Sequence, residues 1–132
     1  MSNTEIMSFC RAYMRACPSV SIRPSQMQVL EILCTVPGPH TPMMLADCLR
    51  VSRPMVAAHL VALQDAGYIS RVVSVDDRRS VFVLPTKKAQ NLVNKHNREL
   101  SEFNAKIMDR VGRKKYDAFV AMIKNINAML AE

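Results

Sequence analysis

The sequence predicts a mainly α chain with one small β-hairpin, arranged as a single domain over residues 1–132. Three observations carry this. Residues 41–67 hold two helical patterns joined by a very short turn. Residues 69–84 hold two β-type runs on either side of the charged turn Asp76-Asp77-Arg78-Arg79. The first and last thirds of the chain carry apolar residues every three or four positions. Helix, turn, helix, then hairpin is the order of a winged helix-turn-helix, a unit that lays one helix in the major groove of DNA.

Residues 3–16 read as a first helix. Ile6, Cys10, Tyr13 and Cys17 share one face, with Met7 and Met14 beside them, and Pro18 stops the pattern. Pro24 opens the next helix, which runs to about Cys34 with Met27, Leu30 and Leu33 inward. Val36-Pro37-Gly38-Pro39 is a clear break, and His40 leads out of it.

The helix-turn-helix begins at Thr41, a helix cap followed by Pro42 at the first helical position, where its missing N–H costs nothing. Leu45, Ala46 and Leu49 recur at helical spacing, and Ala46 is small enough for a second helix to come close. Arg50 and Val51 make the turn. Ser52 caps the second helix and Pro54 lies in its first turn. Val56, Leu60 and Leu63 form its buried stripe, and Gly67 ends it. The opposite face carries Ser52, Arg53, Ala57, Ala58 and Gln64, small side chains and a cation that suit a groove-facing surface. Ile69–Val75 and Ser80–Leu84 are rich in β-branched residues and form the hairpin.

A long helix follows Thr86 and extends to about Val111, with His96, Leu100, Phe103 and Ile107 on its apolar side. Gly112 breaks it. The last helix carries Tyr116, Phe119, Ile123, Ile126 and Leu130 at the same spacing. Such stripes recur in paired helices, so the terminal helices, about 3–16 and 87–131, are expected to form a helical dimerisation base beneath the winged lobe of about 24–86. Packing of these stripes onto the winged lobe alone is the other possibility.

Residues 45–89, LADCLRVSRPMVAAHLVALQDAGYISRVVSVDDRRSVFVLPTKKA, resemble the MarR-type (multiple antibiotic resistance regulator) family of winged-helix transcription regulators. Asp77-Arg78-Arg79, an apolar strand and Thr86 are similar to that family's wing signature: Asp-x-Arg, a strand ending in Leu-Thr, and a Gly three residues on. Pro85 stands in place of the Leu and Ala89 in place of the Gly. Arg50 stands where the helix-turn-helix turn usually has Gly, so a positive φ there is expected to store about 1 kcal/mol of strain. The resemblance implies a dimer interlocked through the first and last helices. It also implies a ligand pocket between dimer helices and winged lobe, where small amphipathic molecules shift the DNA-binding state.

Charge agrees with a polyanion partner. The net charge is +7, with a pI near 9.6. Residues 1–40 hold three basic and two acidic side chains, 41–88 seven and four, and 89–132 eight and five, so the basic excess starts at the helix-turn-helix. No apolar run reaches membrane-spanning length and the N-terminus lacks a signal-peptide layout, which places the protein in the cytoplasm. The cysteines Cys10, Cys17, Cys34 and Cys48 have no CxxC spacing and read as free thiols in a reducing compartment.

Catalysis finds no support: there is no Gly-rich phosphate loop, no GxSxG and no HExxH. No cofactor and no metal are expected. His59 and His96 read as packed, hydrogen-bonded side chains. Zinc sites near the dimer hinge in some family members keep His40 and His96 as a weaker alternative. Cys10 reads first as a small apolar residue in a dimer core. One branch of the family senses peroxide through a first-helix cysteine assisted by tyrosines, and Cys10 with Tyr13 offers that alternative. The ten methionines include Met43, Met44 and Met55 in the DNA unit; each reads first as core filling and second as adaptable pocket wall.

The expectation is therefore a homodimeric DNA-binding regulator, a repressor relieved by a small ligand. Ser52 and the first-turn amides should hold a phosphate. Arg53 should contact guanine or phosphate, Ala57 and Ala58 thymine methyl groups, and Met55, beside Pro54, the groove wall. Arg78 and Arg79 should reach backbone or minor groove, with Asp77 orienting the Arg79 guanidinium. A winged-helix protein-interaction module without DNA binding is the rival of another class.

Overall fold

The computed structural model describes residues 3–18 and 21–131. Its elements are α1 (Asn3–Met14), α2 (Pro24–Thr35), α3 (Pro42–Leu49), α4 (Arg53–Asp65), β1 (Ile69–Val73), β2 (Val81–Pro85), α5 (Lys87–Val111) and α6 (Arg113–Leu130). Two compact units result, Met1–His96 and Asn97–Glu132, with the boundary inside the continuous helix α5.

In the first unit, α2, α3, α4 and the hairpin enclose one core. Leu30, Leu45, Leu60, Leu63, Val29, Val56 and Val83 are fully buried, and Met27, Leu33, Tyr68, Ile69, Ala89 and Val93 join them in the cluster. Each fully buried leucine contributes roughly 1.5–3 kcal/mol of transfer free energy. Leu30, Leu45, Val56, Leu60 and Leu63 are inward positions of the helical stripes read from the sequence, whereas Val29 was not among them. Ala46 is buried as well, which lets α3 and α4 approach closely.

The sheet has two antiparallel strands, with Ile69 opposite Pro85, Arg71 opposite Val83 and Val73 opposite Val81. Pro85, one of the two departures from the wing signature, sits at the last pair of the ladder, where a missing N–H breaks nothing further along. Ala89, the other, is fully buried in the first turn of α5 and needs no glycine conformation. The loop before α3 also joins the hairpin. The Val83 N–H donates to the His40 carbonyl at 2.9 Å, while the His40 ring Nε2 donates to the Val36 carbonyl at 2.8 Å. That second bond satisfies the polar ring of a residue only 6% exposed and places the proton on Nε2.

The turn of the helix-turn-helix closes as a Schellman motif. The Val51 N–H reaches the Ala46 carbonyl and the Arg50 N–H the Asp47 carbonyl. Arg50 holds φ 57° and ψ 45°, the left-handed conformation expected at that position. α1 buries none of its residues; Ile6, Met7, Phe9 and Met14 are exposed.

The second unit comprises the rest of α5 and all of α6. Gly112, at φ 89°, sits between the two helices, and a Cβ there would meet nothing within 4 Å. No residue of α6 is buried, and Phe119, Val120, Ile123, Ile126 and Leu130 are exposed. Among the described residues no helix is long and apolar enough to cross a membrane.

Candidate nucleic-acid interface

The two caps read from the sequence are both formed. Thr41 Oγ1 accepts the Met44 N–H and Ser52 Oγ accepts the Met55 N–H, each at 3.2 Å. Ser52 has extended backbone angles, φ −68° and ψ 153°, so the chain enters α4 from outside the helix and exposes its first amides. The Ser52 hydroxyl spends an acceptor site on the cap and keeps its O–H to donate outward.

α4 is two-faced. Val56, Leu60 and Leu63 are buried, while Ser52, Arg53, Pro54, Met55, Ala57 and Ala58 are all exposed, as are Val61 and Gln64. The exposed surface over the first two turns is flat apart from Met55 and the single cation Arg53. The structure thus brings the six expected residues together on one solvent-facing side of one helix. His59 lies at the edge of the buried stripe. Its ring is packed, but its Nε2 is buried without a hydrogen-bond partner, against the expectation of a hydrogen-bonded side chain.

The wing tip is a tight turn with Arg78 and Arg79 exposed on it. The Ser74 N–H donates to the Ser80 carbonyl and the Ser80 N–H to the Asp77 carbonyl, both at 2.9 Å. Asp77, expected to orient the Arg79 guanidinium, is bonded here to a backbone amide and a hydroxyl of the turn. Its Oδ1 accepts the Arg79 backbone N–H at 3.0 Å and its Oδ2 accepts the Ser80 hydroxyl at 3.1 Å. A carboxylate two residues before an amide is placed for this short local bond, which costs less side-chain ordering than fixing a long guanidinium. Asp77 shapes the turn, and the two arginines project from it.

The far end of α4 closes on Gly67, as read from the sequence, and is tied down by bonds from Thr86 and Lys88 that the sequence did not show. The Tyr68 N–H donates to the Leu63 carbonyl and the Gly67 N–H to the Gln64 carbonyl, a second Schellman motif with Gly67 at φ 82°. Thr86 Oγ1 then donates to the Gly67 and Tyr68 carbonyls, at 2.8 and 3.1 Å, and its N–H to the Tyr68 carbonyl at 3.0 Å. Lys88 Nζ donates to the Ala66 carbonyl and lies 4.5 Å from the centroid of the Tyr68 ring. One signal was available: Lys87 and Lys88 occupy the first turn of α5, where a helix favours acidic residues.

The remaining candidates stand apart. Cys10 is exposed on α1. His96 Nε2 meets Glu31 at 3.0 Å, and Cys17 Sγ donates to the His96 carbonyl at 3.5 Å. His40 and His96 thus have separate partners, and among the described residues no three His, Cys, Asp or Glu side chains gather as a metal site. Partial burial pushes the Cys34 thiol above its ordinary pKa.

The MarR family model matches residues 21–80. The fold is shared with several solved structures. FabT of Streptococcus pneumoniae, in complex with DNA, aligns with TM-score 0.81 at 24% identity, over 97% of this chain and 94% of that one. The transcriptional repressor CouR, bound to a 23-mer DNA duplex, gives 0.80 at 23%, over 96% and 92%. NadR in complex with 4-hydroxyphenylacetate gives 0.73 at 24%, over 98% and 92%.

Proposed function

We propose that this chain, a MarR-family winged helix-turn-helix protein, is a sequence-specific repressor that binds its operator as a homodimer and is released by a small amphipathic ligand. One observation carries the DNA reading: α4 is buried along Val56, Leu60 and Leu63 and bare along Ser52, Arg53, Met55, Ala57 and Ala58. A helix that shows a flat, cation-bearing side to solvent, with a basic turn on the same lobe, suits a groove and its backbone. Arg53 would read a base edge or a phosphate, Ser52 and the first amides a phosphate, and Arg78 and Arg79 the backbone or minor groove.

The dimer reading rests on α1 and α6, whose apolar side chains stand exposed on the single chain. A second copy would cover them, and two recognition helices would then meet half-sites about 34 Å apart. DNA in the FabT and CouR structures and 4-hydroxyphenylacetate in NadR support a protein that meets both kinds of partner. A ligand that favours a spacing unable to span both half-sites lowers operator affinity tenfold for about 1.4 kcal/mol of differential binding. The cytoplasm is the compartment consistent with such a role.

Selection of bound duplexes from a random pool tests the reading, followed by release assays with small phenolic compounds. A pseudo-palindromic consensus with ligand-dependent release is expected. Sedimentation at micromolar concentration should show a dimer that Ile123→Glu converts to a folded monomer. Absence of any enriched sequence would leave the winged lobe as a protein-interaction module.

A further inference from the structure

We propose that Lys88 is a positioning residue for DNA reading: it fixes the C-terminal end of the recognition helix from the start of the next helix. The proposal rests on the regulator reading above. Lys88 is misplaced with respect to its own helix, since the N-terminus of α5 carries partial positive charge and has no acidic residue in its first turn. Its ammonium is spent elsewhere. Nζ donates to the carbonyl of Ala66, the residue that caps α4, at the negative end of that helix's dipole. The same Nζ sits over the Tyr68 ring, and Tyr68 is buried in the core.

The three successive carbonyls of Ala66, Gly67 and Tyr68 are thus all bound from Thr86 and Lys88. Thr86 holds the segment after the helix; Lys88 alone of the two holds the cap residue of α4 itself. Its stem passes over Gly67, where a Cβ would lie 3.9 Å from both Cδ and Nζ of the lysine. A side chain laid along the Gly67 bend and bonded to a carbonyl is aimed at the helix end.

What such a clamp controls is angle. α4 is about 20 Å long, so a tilt of about 3° at its anchored end moves the Ser52 end by about 1 Å. Base-edge hydrogen bonds of fixed geometry are lost by such a shift, whereas long basic side chains follow a phosphate. Loosening the clamp should cost sequence discrimination and spare non-specific affinity.

The test uses the full-length protein and two duplexes of equal length: one selected by the unmodified protein from a random pool, and one of random sequence. Lys88→Met keeps the stem and removes the charge; Lys88→Arg keeps the charge; Lys88→Gln serves if the methionine variant unfolds early by thermal melting. Lys88→Met should lower affinity for the selected duplex about tenfold, leave the random duplex within about twofold, and keep the salt slope, with Lys88→Arg restoring most of the loss. Equal losses on both duplexes with a salt slope lower by about one would make Lys88 a phosphate contact and overturn the proposal. An unchanged ratio in folded Lys88→Met would overturn it too. If the unmodified protein selects no duplex at all, the regulator reading falls first and this proposal falls with it.

Discussion

Asp77 Oδ1 accepts the backbone N–H of Arg79 at 3.0 Å, and the carboxylate of the same residue takes the Ser80 hydroxyl at 3.1 Å. The wing turn is therefore held by a side-chain acceptor, a role that a neutral amide oxygen can also fill. Asp77→Asn, oriented with its carbonyl oxygen on the amide, should bind operator DNA within about twofold of the unmodified protein, while Asp77→Ala should lose about 0.5–1.5 kcal/mol of affinity as the turn loosens. Fluorescence anisotropy on a selected duplex decides it. If asparagine is as harmful as alanine, the charge matters and the guanidinium-orienting role returns.

Arg53 and Arg79 should fail in different ways. Arg53 stands on the first turn of α4 and Arg79 on the wing tip. Arg53→Ala should cost about 1–3 kcal/mol and blur preference at one base position. Arg79→Ala should weaken selected and random duplexes alike and lower the salt slope by roughly one. Intact operator affinity in both variants would sink the groove assignment.

Arg50 is the one non-glycine residue at positive φ among those described. Its Cβ crowds the carbonyl oxygen in that conformation, a cost that glycine does not meet. Arg50→Gly should raise stability by about 0.5–1 kcal/mol, allowing for the greater entropy glycine loses on folding. Urea unfolding measures this, and a lower midpoint for the glycine variant would show that the arginine side chain contributes more than its backbone strains.

Small-molecule binding, and not thiol oxidation, is expected to release the protein from DNA. Cys10 is exposed on α1 of the single chain, near the Phe9–Tyr13 ring pair, whose centroids lie 5.8 Å apart. Cys10→Ser should bind the selected duplex normally and still respond to the true effector. Release of the unmodified protein by dilute peroxide, with the serine variant deaf to it, would make Cys10 the sensor.

What could be read in advance was what neighbours in sequence decide. Thr41, Ser52 and Gly67 are caps because a hydroxyl or a missing Cβ acts within three residues, and the left-handed Arg50 follows from a turn too short for any other path. The exposed face of α4 follows from the buried one by helical period. The clamp on α4 was not legible, because Lys88 and Ala66 are 22 positions apart and meet only once the hairpin folds back. The link from Val83 to His40 and that from His96 to Glu31 are of the same kind. The backbone bond of Asp77 was missed for the opposite reason: the guanidinium and the amide of Arg79 are equally near in sequence, and charge was weighed above the amide.

The bond from Val83 to the His40 carbonyl ties β2 to the loop before α3, while among the described residues β1 pairs with β2 alone. The outer side of β1 is a template for strand addition, and it is an apolar one: Val72 and Val73 are exposed, and Val75 beyond them is 96% exposed. Five residues is a short template, and Arg71 puts a charge at its centre. Strands at sheet edges are kept from pairing between molecules by brevity and charge. An exposed charge at the centre of so short an edge disfavours the zipping of one wing to another when a protein is concentrated.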